Sequence, residues 1–246
     1  MPNDYFQFKQ FKVNQASVGM KVTTDGCLFG AWIADEINSK ESEPQHILDI
    51  GAGTGLLSLM IAQNTLSSRI DSVESNPVAF LKSQENFTSS PWANRLSCEH
   101  TKVQDYSSDL YDVIVSNPPF FKESEKGQNP NKNQAVHATD LDSQTLLNHV
   151  MRLLSSDGIF YLLYPEREMN DFIALAREHN LHLDKLVKVK NQIAGKVFRY
   201  MAAFKLTNAR SKKTDIVIRE NSGQYTAEFW SLIKEFYLEY NAPKAN

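Results

Sequence analysis

Residues 46–57, His-Ile-Leu-Asp-Ile-Gly-Ala-Gly-Thr-Gly-Leu-Leu, constrain the fold of this chain more than any other stretch. Ile47–Ile50 is a short apolar run that reads as a strand, and Leu56–Gln63 reads as a helix. Between them Gly51, Gly53 and Gly55 alternate with other residues. Glycine permits tight bends and lets a ligand approach the peptide plane. A dinucleotide-binding turn would carry its third glycine at position 56, which is Leu56. No G-x-x-x-x-G-K-[ST] phosphate loop occurs either, so a nucleoside triphosphate fits poorly.

The strand–loop–helix unit then repeats. Arg69–Glu74 reads as a second strand and Pro77–Phe87 as a second helix. Leu96–His100 and Asp112–Ser116 read as two more strands, followed by a helix at Ser143–Ser155. Gly158–Tyr164 reads as a fifth strand and Glu166–Asn180 as a helix. Alternation of this kind predicts a doubly wound α/β sheet. His182–Lys190 and Val197–Thr207, joined by a short glycine-containing link, predict an antiparallel hairpin at its end. Thr23-Thr24-Asp25 supplies helix-capping chemistry before Cys27, and Tyr225–Tyr240 reads as an amphipathic helix.

At 246 residues the chain suffices for one large α/β domain or two small ones. A single domain over 1–246 is expected, with 1–38 closing the ligand site, 46–207 as the core and 208–246 as an extension. No apolar run approaches the roughly 20 residues of a membrane helix, and the N-terminus lacks the pattern of a secretion signal. Cys27 and Cys98, the only cysteines, read as reduced core residues of a cytoplasmic protein. No metal-binding spacing is present, so no metal is expected. Nothing sets an oligomeric state, and a monomer is the default.

The net charge of −3 argues against a nucleic-acid binder, but its distribution is uneven. Residues 185–213 hold nine Lys/Arg and no Asp or Glu, which leaves 26 − 9 = 17 basic against 29 acidic residues elsewhere. Such a segment is either a polyanion-facing edge or a set of solvated strand faces.

Glu74 ends the second strand nineteen residues after Gly55. A carboxylate there can accept from both hydroxyls of a ribose. The glycine alternation preceded by Asp49, with Glu74 following, resembles the class I S-adenosylmethionine-dependent methyltransferases. The resemblance implies a Rossmann-like, seven-stranded, mostly parallel sheet with the terminal antiparallel hairpin. It implies that S-adenosyl-L-methionine lies against Asp49, Gly51, Gly53 and Gly55, with its ribose on Glu74. The family's adenine-binding Asp after the third strand is replaced here by Lys102, and Asp105 follows three residues on.

"VSNPPFF" (115–121) ends the fourth strand in two prolines, which stiffen the backbone where Asn117 leaves the sheet. Ligands of open α/β sheets bind at such carboxyl ends. A stiff amide-and-carbonyl pair grips a small polar group; a proline-rich turn with core aromatics is the alternative. Asn117-Pro118-Pro119-Phe120 resembles the motif of methyltransferases acting on planar amino nitrogens. It implies catalytic roles for Asn117 and Pro118 as acceptors of the target N–H groups and for Phe120 as a stacking surface, with Asn117 also beside the cofactor.

Residues 21–32, Lys-Val-Thr-Thr-Asp-Gly-Cys-Leu-Phe-Gly-Ala-Trp, carry the more specific resemblance, to the tRNA1(Val) adenine-N6 methyltransferases, and the likeness spans nearly the whole chain. It implies methyl transfer to N6 of the adenine 3′ of the anticodon (position 37), the anticodon loop of a tRNA as partner, and Lys21, Thr23 or Thr24 helping to close the cofactor site. That family usually has an Arg before an aromatic or His in the loop after the motif; this chain has Val136 and His137. Guanine-N2 methylation of RNA and glutamine-N5 methylation of protein remain alternatives, as does a cofactor-binding RNA chaperone without turnover. The Lys-, Asn- and Gly-rich loop 122–137 is expected to be mobile without RNA.

Overall fold

The computed structural model describes residues 4–119 and 141–238. Phe120, Phe121, Val136, His137 and the loop 122–137 lie outside the described residues. An N-terminal hairpin, β1 (Tyr5–Gln7) and β2 (Lys12–Asn14), precedes helix α1 (Thr24–Asn38). Then follow β3 (His46–Ile50), α2 (Leu56–Asn64), β4 (Arg69–Glu74), α3 (Pro77–Thr88), β5 (Leu96–His100) and β6 (Tyr111–Ser116). The second half holds α4 (Ser143–Leu153), β7 (Leu154–Tyr164), α5 (Glu166–Glu178), β8 (His182–Gln192), β9 (Val197–Lys205), β10 (Lys212–Arg219) and α6 (Ala227–Ile233).

The main sheet runs β10-β8-β9-β7-β6-β3-β4-β5. β3, β4, β5, β6 and β7 are parallel, and the β8–β9 hairpin joins through the antiparallel β7–β9 pair. The doubly wound reading and its terminal hairpin are therefore correct. The sheet has eight strands rather than seven, because Lys212–Arg219 adds β10 parallel to β8 on the outer edge. Its four leading residues are exposed and only Ile216 and Ile218 are buried, so the sequence shows little of the apolar alternation that marks a strand.

Two apolar layers sandwich the sheet. On one face α1, α2 and α6 cover Ile47, Val113, Val115 and Tyr161; on the other α4 and α5 cover Leu48, Ile114, Phe160 and Leu162. Consecutive residues of one strand thus enter opposite layers, which is why β3, β6 and β7 read as continuous apolar runs. Among the described residues no helix is long and apolar enough to cross a membrane. Cys27 and Cys98 are free thiols.

The C-terminal helix is shorter than its amphipathic pattern predicts. Beyond Ile233 the backbone turns, the Phe236 carbonyl accepts from Lys9 N–H (2.8 Å), and the Glu235 carbonyl accepts from Gln63 Nε2 (2.9 Å). These carbonyls serve neighbouring segments rather than a continuing helix.

Candidate active site

The parallel strands β3, β4 and β6 end side by side, with Ile50 paired to Ser116 and Ile50 to Val73. The Ser116 hydroxyl donates to the Ile50 carbonyl (2.8 Å), tying the exits of the glycine loop and of Asn117 together. A cleft of about 590 Å³ opens over these ends. It is large enough for a nucleoside-sized ligand.

The glycine loop is held by its backbone. Gly51 and Ala52 N–H donate to the Val73 carbonyl (2.9 and 3.2 Å), and Gly53 N–H donates to Glu74 Oε2 (2.8 Å). Gly51 and Gly53 have φ of +73° and +59°, and a Cβ on either would project into open space. The bare backbone of both lines the cleft. Gly55 has a different role. Its φ is +80°, and a Cβ would stand 2.3 Å from the Phe87 ring, so it permits close approach of α2's start to α3 and does not line the cleft.

Glu74 lines the cleft while its two carboxylate oxygens accept from Gly53 and Asn76 N–H (2.8 and 2.7 Å). A carboxylate has about four acceptor positions, so capacity for a diol remains. Asp49 is 1% exposed, and its Oδ2 accepts from the Ser58 hydroxyl (2.7 Å), which in turn sits 3.0 Å from Ser72 Oγ. Burial pushes the Asp49 carboxyl up to about 7; the Ser58 hydroxyl and N–H pull it back, and the nearby Glu74 charge adds to the rise. Its Oδ1 has no hydrogen-bond partner among the described residues.

A smaller recess of about 50 Å³ adjoins the cleft and is lined by Lys21, Thr23, Gly26, Asp49 and Asn117. Thr23 caps α1, its hydroxyl accepting from Gly26 N–H (3.2 Å). A Cβ on Gly26 would stand 3.8 Å from Asn117 Nδ2, and one on Gly30 would stand 2.7 Å from Met60 Sδ. The two glycines of the 21–32 stretch therefore bring α1 against Asn117 and α2.

The buried Oδ1 of Asn117 has no partner among the described residues. Pro118 is buried and Pro119 is exposed and lines the cleft. The structure thus gathers Asp49, Gly51, Gly53, Glu74 and Asn117 with Lys21 and Thr23. It does not bring Thr24 or Pro118 to the lining, and the Thr24 side chain is hydrogen-bonded to Tyr237 instead. Phe120 lies outside the described residues. After β5 the lining comes from Lys102, Val103 and Gln104, while Asp105 does not reach it.

Sequence reasoning missed the strap Val18-Gly19-Met20, which forms another wall of the cleft. No periodicity marks it. Its one cue is its position directly before the Lys21–Trp32 stretch.

Residues 32–164 match the family model of the methyltransferase small domain. A tRNA1(Val) (adenine(37)-N6)-methyltransferase of Flavobacterium psychrophilum is 37% identical over 237 residues, which cover 95% of this chain and 99% of the relative. Proteins of the same name from Aliivibrio salmonicida and Christiangramia forsetii are 38% and 35% identical, over 96% and 97% of this chain and 98% and 100% of theirs. Among solved structures, one described as a predicted O-methyltransferase of Agrobacterium tumefaciens superimposes with a TM-score of 0.65 at 13% identity, covering 90% of this chain and 98% of that one. A human methyltransferase 10 domain containing protein gives 0.54 at 15% identity, over 76% and 86%. The structures attest the fold. Sequence identity sustained from end to end carries the assignment further: the chain belongs to the tRNA1(Val) (adenine(37)-N6)-methyltransferase family.

Proposed function

We propose that this protein is an S-adenosylmethionine-dependent methyltransferase acting on N6 of adenine 37 in the anticodon loop of tRNA1(Val). The observation that carries the reading is Asn117 Oδ1, a buried acceptor with no donor among the described residues, at the carboxyl end of β6 beside the glycine loop. A buried acceptor without a donor costs about 1–3 kcal/mol. An exocyclic amino group supplies the missing donor.

The lining fits the cofactor. Gly51 and Gly53 leave a bare backbone floor, and Glu74 would hold the ribose diol. The unpartnered Asp49 Oδ1 in the recess suits the ammonium of the methionine end, with Lys21 and Thr23 as its rim. When bound, the cofactor supplies an electrophilic methyl group on sulfur.

The chain's own task is to aim the nucleophile. The lone pair of an adenine N6 is delocalised into the ring, so the amine attacks poorly. Asn117 Oδ1 accepts one N–H; the Pro118 carbonyl, which the family motif implies as acceptor of the other, stands off the cleft lining in this structure. The Asn117 acceptor orients the lone pair and stabilises positive charge growing on nitrogen, and it is in place before the reaction begins. The stiff Pro118-Pro119 pair fixes the backbone where Asn117 leaves the sheet. Phe120 is next in sequence, and the family motif implies it as the stacking surface for a flipped base. Two free thiols suit a reducing compartment, and we place the enzyme in the cytoplasm.

Two measurements test this. Mass spectrometry of tRNA digested from cells lacking the gene should show loss of N6-methyladenosine alone; loss of a methylguanosine would favour the guanine-N2 reading. Asn117→Ala should lower the single-turnover rate with saturating cofactor by roughly 10²–10³-fold, with cofactor affinity nearly intact. A wild-type rate in that variant would reduce the strand end to a stiff turn.

A further inference from the structure

The glycine loop and the strap Val18–Met20 are two walls of the cleft that come from distant parts of the sequence. Gly51–Gly53 of the loop are half-buried, and Gly19 and Met20 of the strap are exposed, so packing does little to fix these parts. Three glycines of the loop have positive φ and no side chain, and Gly19 has no atom near its Cβ position. The strap has a neck: Val22 N–H donates to Gln15 Oε1 (2.8 Å), and Gln15 N–H donates to the Asp4 carbonyl (2.7 Å). β4 fixes one side of the glycine loop through Val73 and Glu74.

One buried amide holds the other side. Asn86 on α3 is 1% exposed. Its Oδ1 accepts from Asn14 N–H (2.8 Å), and its Nδ2 donates to the Asn14 carbonyl (3.1 Å) and to the Thr54 carbonyl (2.9 Å). Asn14 ends β2, four residues before Val18 at the start of the strap, and Thr54 belongs to the glycine loop. All three partners are backbone groups. An alanine at 86 reaches none of them and leaves buried polar groups on both walls without partners.

We propose that Asn86 is a positioning residue that sets the width of the cofactor cleft by pinning the strap and the glycine loop to one point on α3. The inference rests on the reading of this cleft as the S-adenosylmethionine site. With the pin removed, both walls must be ordered when the ligand arrives, and binding carries that ordering cost. The chemical step at Asn117 lies beyond the pinned segments, so it keeps its rate once the cofactor is in place.

The test is calorimetric titration of the full-length protein with S-adenosylhomocysteine. Asn86→Ala should weaken binding by about tenfold or more, while the single-turnover rate at saturating cofactor stays within about twofold of wild type. Arg95→Ala serves as the stability control. Arg95 donates to the Ala62, Thr65 and Ser68 carbonyls, away from the cleft lining, so its loss lowers the melting temperature without touching either wall. Wild-type affinity in Asn86→Ala, or an equal weakening in Arg95→Ala, overturns the proposal. If Asn86→Ala does not fold, Asn86→Asp, of the same size but without the two donors, takes its place under the same criteria. Failure of wild type itself to bind S-adenosylhomocysteine would instead strike the cofactor reading on which the proposal stands.

Discussion

At the scale of single residues, Asp49 makes the most specific demand. Burial raises its carboxyl from an ordinary value of 3.8 to about 7. A folded pKa above the unfolded one favours the folded state at low pH. That contribution is complete below about pH 4 and is lost as pH rises through about 7. A ligand ammonium in the recess favours the ionised form instead. S-Adenosylhomocysteine should therefore bind more tightly as pH rises from about 6 to about 8, by up to roughly tenfold. 5′-Methylthioadenosine, which lacks the amino-acid end, should show no such trend, and Asp49→Asn should abolish it. Titrations at three pH values decide the matter, and a slope retained in Asp49→Asn would remove Asp49 from the cofactor's ammonium.

At the scale of elements, the helices and strands of the core stand where the periodicity put them, whereas the N-terminal hairpin, β10 and the end of α6 do not, and the joints between elements depend on side chains with no periodic signal. Glu43, in the connection between α1 and β3, is one such joint. Its carboxylate accepts from Leu66, Ser67 and Ser68 N–H and from the Ser67 and Ser68 hydroxyls, all between α2 and β4. Partial burial raises its carboxyl, but these donors outweigh that and bring it down to about 2. A depressed folded pKa gives stability that is present above the unfolded value near 4.5 and lost as pH falls from there towards about 2. Glu43→Gln should cost about 1 kcal/mol at neutral pH. In urea denaturation the difference from wild type should shrink to nothing near pH 2. A pH-independent difference would assign the effect to packing rather than to the charge.

At the scale of the molecule, the sheet register divides the basic segment. Ser116 is level with Leu162, Ala202, Leu186 and Lys213 across β6, β7, β9, β8 and β10. Lys188 is level with Tyr200 and Tyr164, beyond Ser116 on the side where the cleft opens, and Lys190, Lys196 and Arg199 lie on that side too. Lys185, Lys205, Arg210 and Lys212 lie on the other side of that level. Among the described residues four of the nine cations form ion pairs: Lys185 with Glu36, Lys190 with Asp215 (2.8 Å), Arg199 with Asp25 (2.7 Å) and Lys205 with Asp184 (3.0 Å). The segment is thus not one continuous polyanion track, and Lys188 and Lys196 are its best candidates for phosphate contact. Each phosphate contact adds about 0.7–0.9 to the slope of log K against log salt. Lys188→Ala with Lys196→Ala should lower that slope for tRNA, and Arg210→Ala with Lys212→Ala should leave it unchanged. The reverse pattern would move the RNA to the outer edge of the sheet.

The sequence by itself determined the doubly wound sheet, the glycine loop, Glu74 at the end of β4 and the stiff carboxyl end of β6 at Asn117. Each of these is a local matter: hydrophobic period, backbone permissiveness at Gly51 and Gly53, and the stiffness of Pro118-Pro119 are written in neighbouring residues. Tertiary structure alone decided that Val18–Met20 forms a wall, that Thr24 turns to Tyr237, and that Val103 and Gln104 join Lys102 in lining the cleft where Asp105 does not. It also decided that Asn86 joins Asn14 to Thr54, across separations of 72 and 32 residues. Those contacts link residues far apart in the chain, with partners that are backbone groups common to every residue type. Nothing in the identity of Asn14 or Thr54 could announce them before the sheet brought α3, the strap and the glycine loop together.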